Sequence, residues 1–267
     1  MFTVSIVALA QAATFAPPLG VPIRVIATRT ESDGIYRAER LVRFHRDGTG
    51  YRAEVRLIAA TAETTDFRKS MFDAGYAGLA GRTIEFRLDA AGKVTGIADL
   101  AGHWNAFCNG LAALASKHTD NASAERKAAA GQIADRFRAM PEEQQRAILA
   151  SLVTVMIGGD GDEAAGTTRA IRLPATSPFG GSASLDGTRS FERNGGLVRS
   201  VTRAEGQIAS QDGAPAYISV ETLRDTDPHT GLITATRETT RTSRGSEIRE
   251  RSSTVTMSLE PGAVWPD

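Results

Sequence analysis

DGIYRAERLVRFHRDGTGYRAEVRLIA, Asp33–Ala59, is the stretch whose reading decides the fold. Two alternating runs meet in it at Asp47-Gly48. Tyr36, Ala38, Arg40, Val42 and Phe44 fall on one side of the first run, and Arg37, Glu39, Leu41, Arg43 and His45 on the other. Beyond the turn, Tyr51, Ala53, Val55, Leu57 and Ala59 continue the pattern. A period of two puts successive side chains on opposite faces of a strand, and Asp-Gly readily takes the positive φ of a tight hairpin turn. The stretch therefore predicts an antiparallel hairpin. A second Asp-Gly, at Asp33-Gly34, ties it to an earlier strand in which Ile23, Val25 and Ala27 alternate with Arg24, Ile26 and Thr28.

Outward from this hairpin, a short helix is expected around Phe67 to Leu79. A strand over Arg82 to Leu88 then turns at Asp89–Gly92 into Val94–Ile97. At Asp99 the period lengthens. Leu100, Trp104, Phe107, Leu111 and Leu114 recur at steps of three and four, one face of a helix. Asp120 or Asn121 can cap a second helix carrying Ile133 and Phe137. Pro141, followed by Glu142 and Glu143, opens a third through Ile148, Leu149, Leu152, Val153 and Met156. A Gly- and Pro-rich passage, Gly158 to Gly181, precedes further strands. Turn signals stand at Asp186-Gly187, Asn194-Gly195, Asp212-Gly213 and Arg244-Gly245.

The order of hairpins, helices and hairpins excludes a doubly wound parallel fold. The expected class is α+β: antiparallel β-hairpins, with a curved half-barrel as one arrangement, and a central helical block. The boundaries read as a leader over 1–16 and one domain over 17–267. That domain divides into β-hairpins at 17–98, helices at 99–157 and long β-hairpins at 165–262. The last hairpin, 232–259, carries Thr, Arg, Ser and Glu on both faces near its turn, so its tip is expected to project from the body or to lie on the sheet surface.

Composition narrows the partners. Formal net charge is zero and charged residues make up 23%, with no basic stripe, so nucleic acid is not expected. The four lysines are Lys69, Lys93, Lys117 and Lys127; every other cation is Arg. Cys108 is the single cysteine, which excludes an intrachain disulfide and suits a small buried thiol. The apolar run Phe2–Ala10, followed by small residues and Pro17-Pro18, reads as a secretory leader and points to a periplasmic or extracellular location. It is too short to span a bilayer, and no transmembrane span is expected once it is removed.

No motif carries chemistry. His45, His103, His118 and His229 show no metal-ligand spacing. Gly180-Gly181-Ser182-Ala183-Ser184 lacks the closing glycine of a nucleophile elbow. Gly158–Glu163 gathers three carboxylates but does not match a calcium loop. No catalytic residue, metal ligand or cofactor is assigned. Trp104, Phe107 and Phe137 are the candidate lining of a ligand cavity between helices and sheet.

Phe86–Val94 (FRLDAAGKV), with its acidic-small-Gly turn before a Trp-bearing helix, resembles a segment of a family of uncharacterised exported bacterial proteins. Leu173-Pro174-Ala175, leading into a new β region, is also similar. The resemblance implies export and architecture and carries no mechanism. The leading functional expectation is a non-catalytic cell-envelope protein that binds an apolar or amphipathic ligand. The alternatives are a scaffold docking an envelope protein through the polar hairpin 232–259, and a hydrolase with a dispersed site.

Overall fold

The computed structural model describes residues 15–32, 34–64, 75–117, 132, 135–158, 163, 165–176, 182–208 and 215–266. Its first strands are β1 (Ile23–Glu31), β2 (Gly34–Asp47), β3 (Gly50–Thr64), β4 (Thr83–Leu88) and β5 (Val94–Ile97). Two helices follow, α1 (Leu100–Lys117) and α2 (Glu142–Thr154). Then come β6 (Thr168–Thr176), β7 (Ser182–Asn194), β8 (Leu197–Ile208), β9 (Ala216–Thr226), β10 (Ile233–Arg244) and β11 (Glu247–Leu259).

Among the described residues these strands form one eleven-stranded antiparallel sheet, in the order β5-β4-β3-β2-β1-β11-β10-β9-β8-β7-β6. Two meanders meet at a seam where the first strand pairs with the last. The seam runs from Ile23 opposite Leu259 to Glu31 opposite Arg251. This corrects the α+β expectation with its central helical block: 58% of the structure is strand and 18% helix. The helical periodicities at Leu100 and Ile148 do mark helices. Hydrogen-bonded pairing of long polar strands, which hydropathy underrates, outweighs them.

The hairpin 232–259 is part of the sheet and not an appendage, while residues 245–251 around its turn are exposed. β10 pairs with β9 from Ile233 to Ser243, and β11 pairs with β1 across the seam. Polar residues occupy both faces because strand neighbours satisfy the backbone here. Asp186-Gly187, read as a turn, lies inside β7, with Gly187 opposite Ile171 and Ala204. A Cβ there would stand 2.2 Å from the Arg203 carbonyl oxygen, so this glycine permits close strand approach. The passage 158–181 hides β6, whose Pro174 is tolerated because β6 is an edge strand. At the other edge β5 is four residues long, and a short edge limits unwanted strand addition.

Cross-strand partners point to the same side of a sheet, so the register assigns the faces. Ile23, Val25, Val42, Phe44, Ala53, Val55, Ile84 and Phe86 share one side and are buried under α1 and α2. That side is called the core side below. Asp99, at φ 45°, begins α1 and accepts a hydrogen bond from Gly102 N through Oδ1 at 3.1 Å. Pro141 caps α2, and Glu142 and Glu143 occupy its first turn. The opposite side is polar. Arg24 bonds Glu39 and Glu260, and Arg43 donates to Glu54 at 2.6 and 2.9 Å.

One end of the core side is closed by the segment before β1. Phe15 packs edge-on against Phe44 and Tyr51, with ring centroids 5.7 and 5.1 Å away. Tyr51 Oη donates to the Phe15 carbonyl oxygen at 2.7 Å, and Ala16 N donates to the Thr230 carbonyl oxygen at 3.0 Å. Phe15 and Ala16 lie within the 1–16 segment read as a leader, yet they belong to the packed fold. Phe15→Ala should lower stability by about 3–5 kcal/mol, the cost of emptying a buried aromatic site. Urea denaturation measures it, and a loss below about 1 kcal/mol would show that this ring is not part of the core.

Candidate functional site

Strand alternation places one charge where apolar side chains belong. Arg40 follows Tyr36 and Ala38 and precedes Val42 and Phe44 on the core side of β2. Its strand partners are Val25 on β1 and Leu57 on β3, both buried. Arg40 is 4% exposed and makes no ion pair with a described carboxylate; its Nε is buried without a hydrogen-bond partner. Burial pushes its pKa down to about 10, with Tyr76 acting in the opposite direction. The β2–β3 register slips immediately beside it, between Glu39 and Arg40. The bulge leaves Ile58 unpaired and brings Ala60, not Ala59, opposite Ala38. Bulges re-aim side chains and concentrate near functional sites.

The helices face Arg40 through an aromatic chain. Residues 75–79 are helical and carry Tyr76. Burial raises the Tyr76 pKa, while Arg40, a hydrogen bond with Ser151 of α2, and Arg29 act against that rise. The Tyr76 ring meets Phe107 edge-on at 6.3 Å. Phe107 stacks on Trp104 at 5.1 Å and touches Phe137 at 5.8 Å; Trp104 and Phe137 are 6.2 Å apart. Trp104 Nε1 donates to the Phe137 carbonyl oxygen at 3.1 Å. The three residues read as a cavity lining are thus brought together in one cluster, with Trp104 and Phe107 buried and Phe137 half-buried. Their rings fill the space between them and connect through Tyr76 to the sheet side. Gly75 and Gly78 allow this approach, since a Cβ would stand 2.4 Å from the Phe107 ring or 2.2 Å from the Ala106 carbonyl oxygen.

Away from the closed end, the core side loses bulk and gains polarity. Ala27, Ala38, Ala60 and Ala62 form a strip of small, largely half-buried residues. Beyond it the Arg29 guanidinium lies over the Tyr36 ring, 4.6 Å from its centroid. Glu31 stands opposite Arg251, which reaches Glu238 at 3.5 Å. On the second meander the same side alternates buried hydroxyl residues, Ser200, Thr202, Thr222, Thr226 and Thr242, with buried apolar ones, Leu185, Phe191, Val198, Ala204, Ile208 and Ile218. The arrangement is amphipathic: an apolar floor under the helices, a buried cation at its margin with no ion pair to a described carboxylate, and a wall of mixed hydroxyl and apolar residues.

The other candidates lie elsewhere. His45 is on the opposite side, its Nε2 3.2 Å from a Glu54 oxygen already held by Arg43. Burial opposes ionisation of Glu54, but hydrogen bonds from Arg43 and His45 hold its pKa below the usual value. His103 lies in α1, buried, its Nδ1 without a hydrogen-bond partner. Cys108 is fully buried and burial raises its pKa. His229 sits in the turn closed by Asp227. His118, Ile133, the Gly180-Gly181 segment and residues 159–162 of the acidic loop lie outside the described residues. Among the described residues no His, Cys, Asp or Glu cluster can hold a metal ion, and no helix is long and apolar enough to cross a membrane.

Sequence reading passed over Arg40 because alternation records which face a residue occupies and not whether its charge is paired. The available signal was an Arg inside the row Tyr36, Ala38, Val42, Phe44. Arg40 is buried with no ion pair to a described carboxylate, and burying a charge in this way costs stability. Arg40→Met should therefore raise the stability of the protein by roughly 1–3 kcal/mol, checked by urea denaturation. His103 supplies a pH dependence. Burial, opposed by Asp99, lowers its folded pKa below 6.5, so the unfolded chain binds the proton first as pH falls. Stability should decline below about pH 6.5, and His103→Gln should flatten that decline in denaturation curves collected between about pH 7 and 5.

No protein-family model matches the chain, and no similar protein is found among curated ones.

Proposed function

We propose that this protein is a non-catalytic binding protein of the cell envelope, taking an apolar or amphipathic ligand between the core side of its sheet and the helices laid over it. The observation that carries the reading is the change along a single sheet face. The floor beneath α1 and α2 is apolar, and it passes through the alanine strip to a wall where buried hydroxyls stand among buried apolar residues. A face that serves only as core is usually apolar wherever it is covered. A face holding apolar surface, small side chains and buried hydroxyls side by side suits a molecule with both characters. The Tyr76–Phe107–Trp104 chain forms the helix-side wall. The leader-like run Phe2–Ala10 supports the envelope location.

Trp104 provides an internal reporter. Trp265, the other tryptophan, lies on the opposite side of the sheet with Arg43 over its ring at 4.4 Å. In a Trp265→Phe variant, titration with the methyl ester of cis-parinaric acid should quench Trp104 emission by energy transfer and saturate near one probe per chain. Absence of saturable quenching by this ester and by the parent acid alike would overturn the binding reading.

A further inference from the structure

Resting on that reading, we infer that the ligand carries an anionic head group, a carboxylate or a phosphate, and that Arg40 receives it. The argument begins with what Arg40 lacks. Its side chain is withdrawn from water among Val25, Leu57, Ala38 and Val42, and no described carboxylate accompanies it. Its Nε points to no acceptor. A permanently charged guanidinium in such a setting is costly unless an anion completes it. Other core-side cations differ: Arg29 rests on Tyr36 and pairs with Glu31, and Arg251 reaches Glu238. The adjacent β-bulge turns the strand at this position and places small Ala60 beside Ala38.

The same location selects an amphiphile over a free anion. Arg40 lies at the margin of the apolar floor, next to Tyr76 and hence to the Phe107 and Trp104 rings. A free phosphate would find the charge and one phenol, but not the further donors that its remaining oxygens need. An acyl or alkyl chain joined to the anion would lie against the aromatic and alanine surfaces while the head group pairs with the guanidinium. The Tyr76 phenol, which borders Arg40, can donate a second hydrogen bond to a bound oxygen.

The test compares probes that share one hydrocarbon tail. Full-length protein is titrated with cis-parinaric acid and with its methyl ester, and the acid is then competed with hexadecyl phosphate and with inorganic phosphate. The acid should bind at least about tenfold more tightly than the ester in the wild-type protein, a difference expected of one charge-assisted pair. Arg40→Met should reduce that ratio to within about twofold of unity, Arg40→Lys should keep part of it, and the exposed Arg241→Met should leave it as in the wild type. Hexadecyl phosphate should displace the acid, and inorganic phosphate at the same concentration should not. Equal binding of acid and ester by the wild type overturns the head-group assignment while leaving the proposed function standing. Retention of the ratio in Arg40→Met overturns the role of Arg40. Displacement by inorganic phosphate replaces the amphiphile with a free anion. Failure of both probes to bind overturns the head-group assignment and the proposed function together.

Discussion

The pairing of β1 with β11 is the interaction on which the rest depends. It joins a meander of five strands to one of six along nine consecutive residue pairs, Ile23–Leu259 to Glu31–Arg251. Its core-side contacts are Val25 against Met257 and Ala27 against Val255, with Ile23 buried at the end. The seam also decides where the helices go. Because the first and last strands meet mid-sheet, β5 and β6 become the two edges. The one link between those edges carries α1 and α2 and lays them over the sheet.

From that arrangement the two faces acquire different work. The side away from the helices is held by ion pairs and by the C-terminal tail, where Arg56 donates to the Pro266 carbonyl oxygen at 3.0 Å and Arg43 covers Trp265. Exposed pairs of this kind add little each, and their effect lies mainly in register and solubility. The core side gathers the apolar residues of the first meander and, from the second, buried hydroxyl residues together with a smaller apolar cluster at Leu185, Ala204, Ile208 and Ile218. Arg40 breaks the local rule of the first meander. Such departures from consistency tend to mark functional positions, since a buried unpaired charge has no value to stability.

Much of the strand structure was legible locally. Asp47-Gly48, Asn194-Gly195 and Arg244-Gly245 are hairpin turns in the structure, with glycines at φ 56, 62 and 58°. Val94–Ile97 matches its expected bounds, and the helix beginning at Leu100 follows its apolar spacing. The failures are also local in kind. Gly187 looked like a turn because glycine signals both φ > 0 and close approach, and only a neighbouring strand reveals which. β6 was hidden by Pro174, which forbids a central strand and says nothing against an edge. Of the site, Trp104, Phe107 and Phe137 were visible as a helix-spaced aromatic set. Arg40 and Tyr76 were not, because their significance lies in partners contributed by other elements.

By itself, the sequence determined the alternation that makes each strand two-faced, the turns that pair neighbours, and the apolar stripe that seats α1. These are short-range properties of chain geometry and hydropathy, readable within one element and its turn. Only the tertiary structure decided that the outermost hairpin would become the middle of the sheet, that Phe15 would close one end, and that Arg40 would be buried beside Val25 and Leu57 with no counter-ion among the described residues. Those outcomes depend on contacts between residues far apart in the chain. The burial and pairing of a charge are properties of everything packed around it, and no local pattern encodes them.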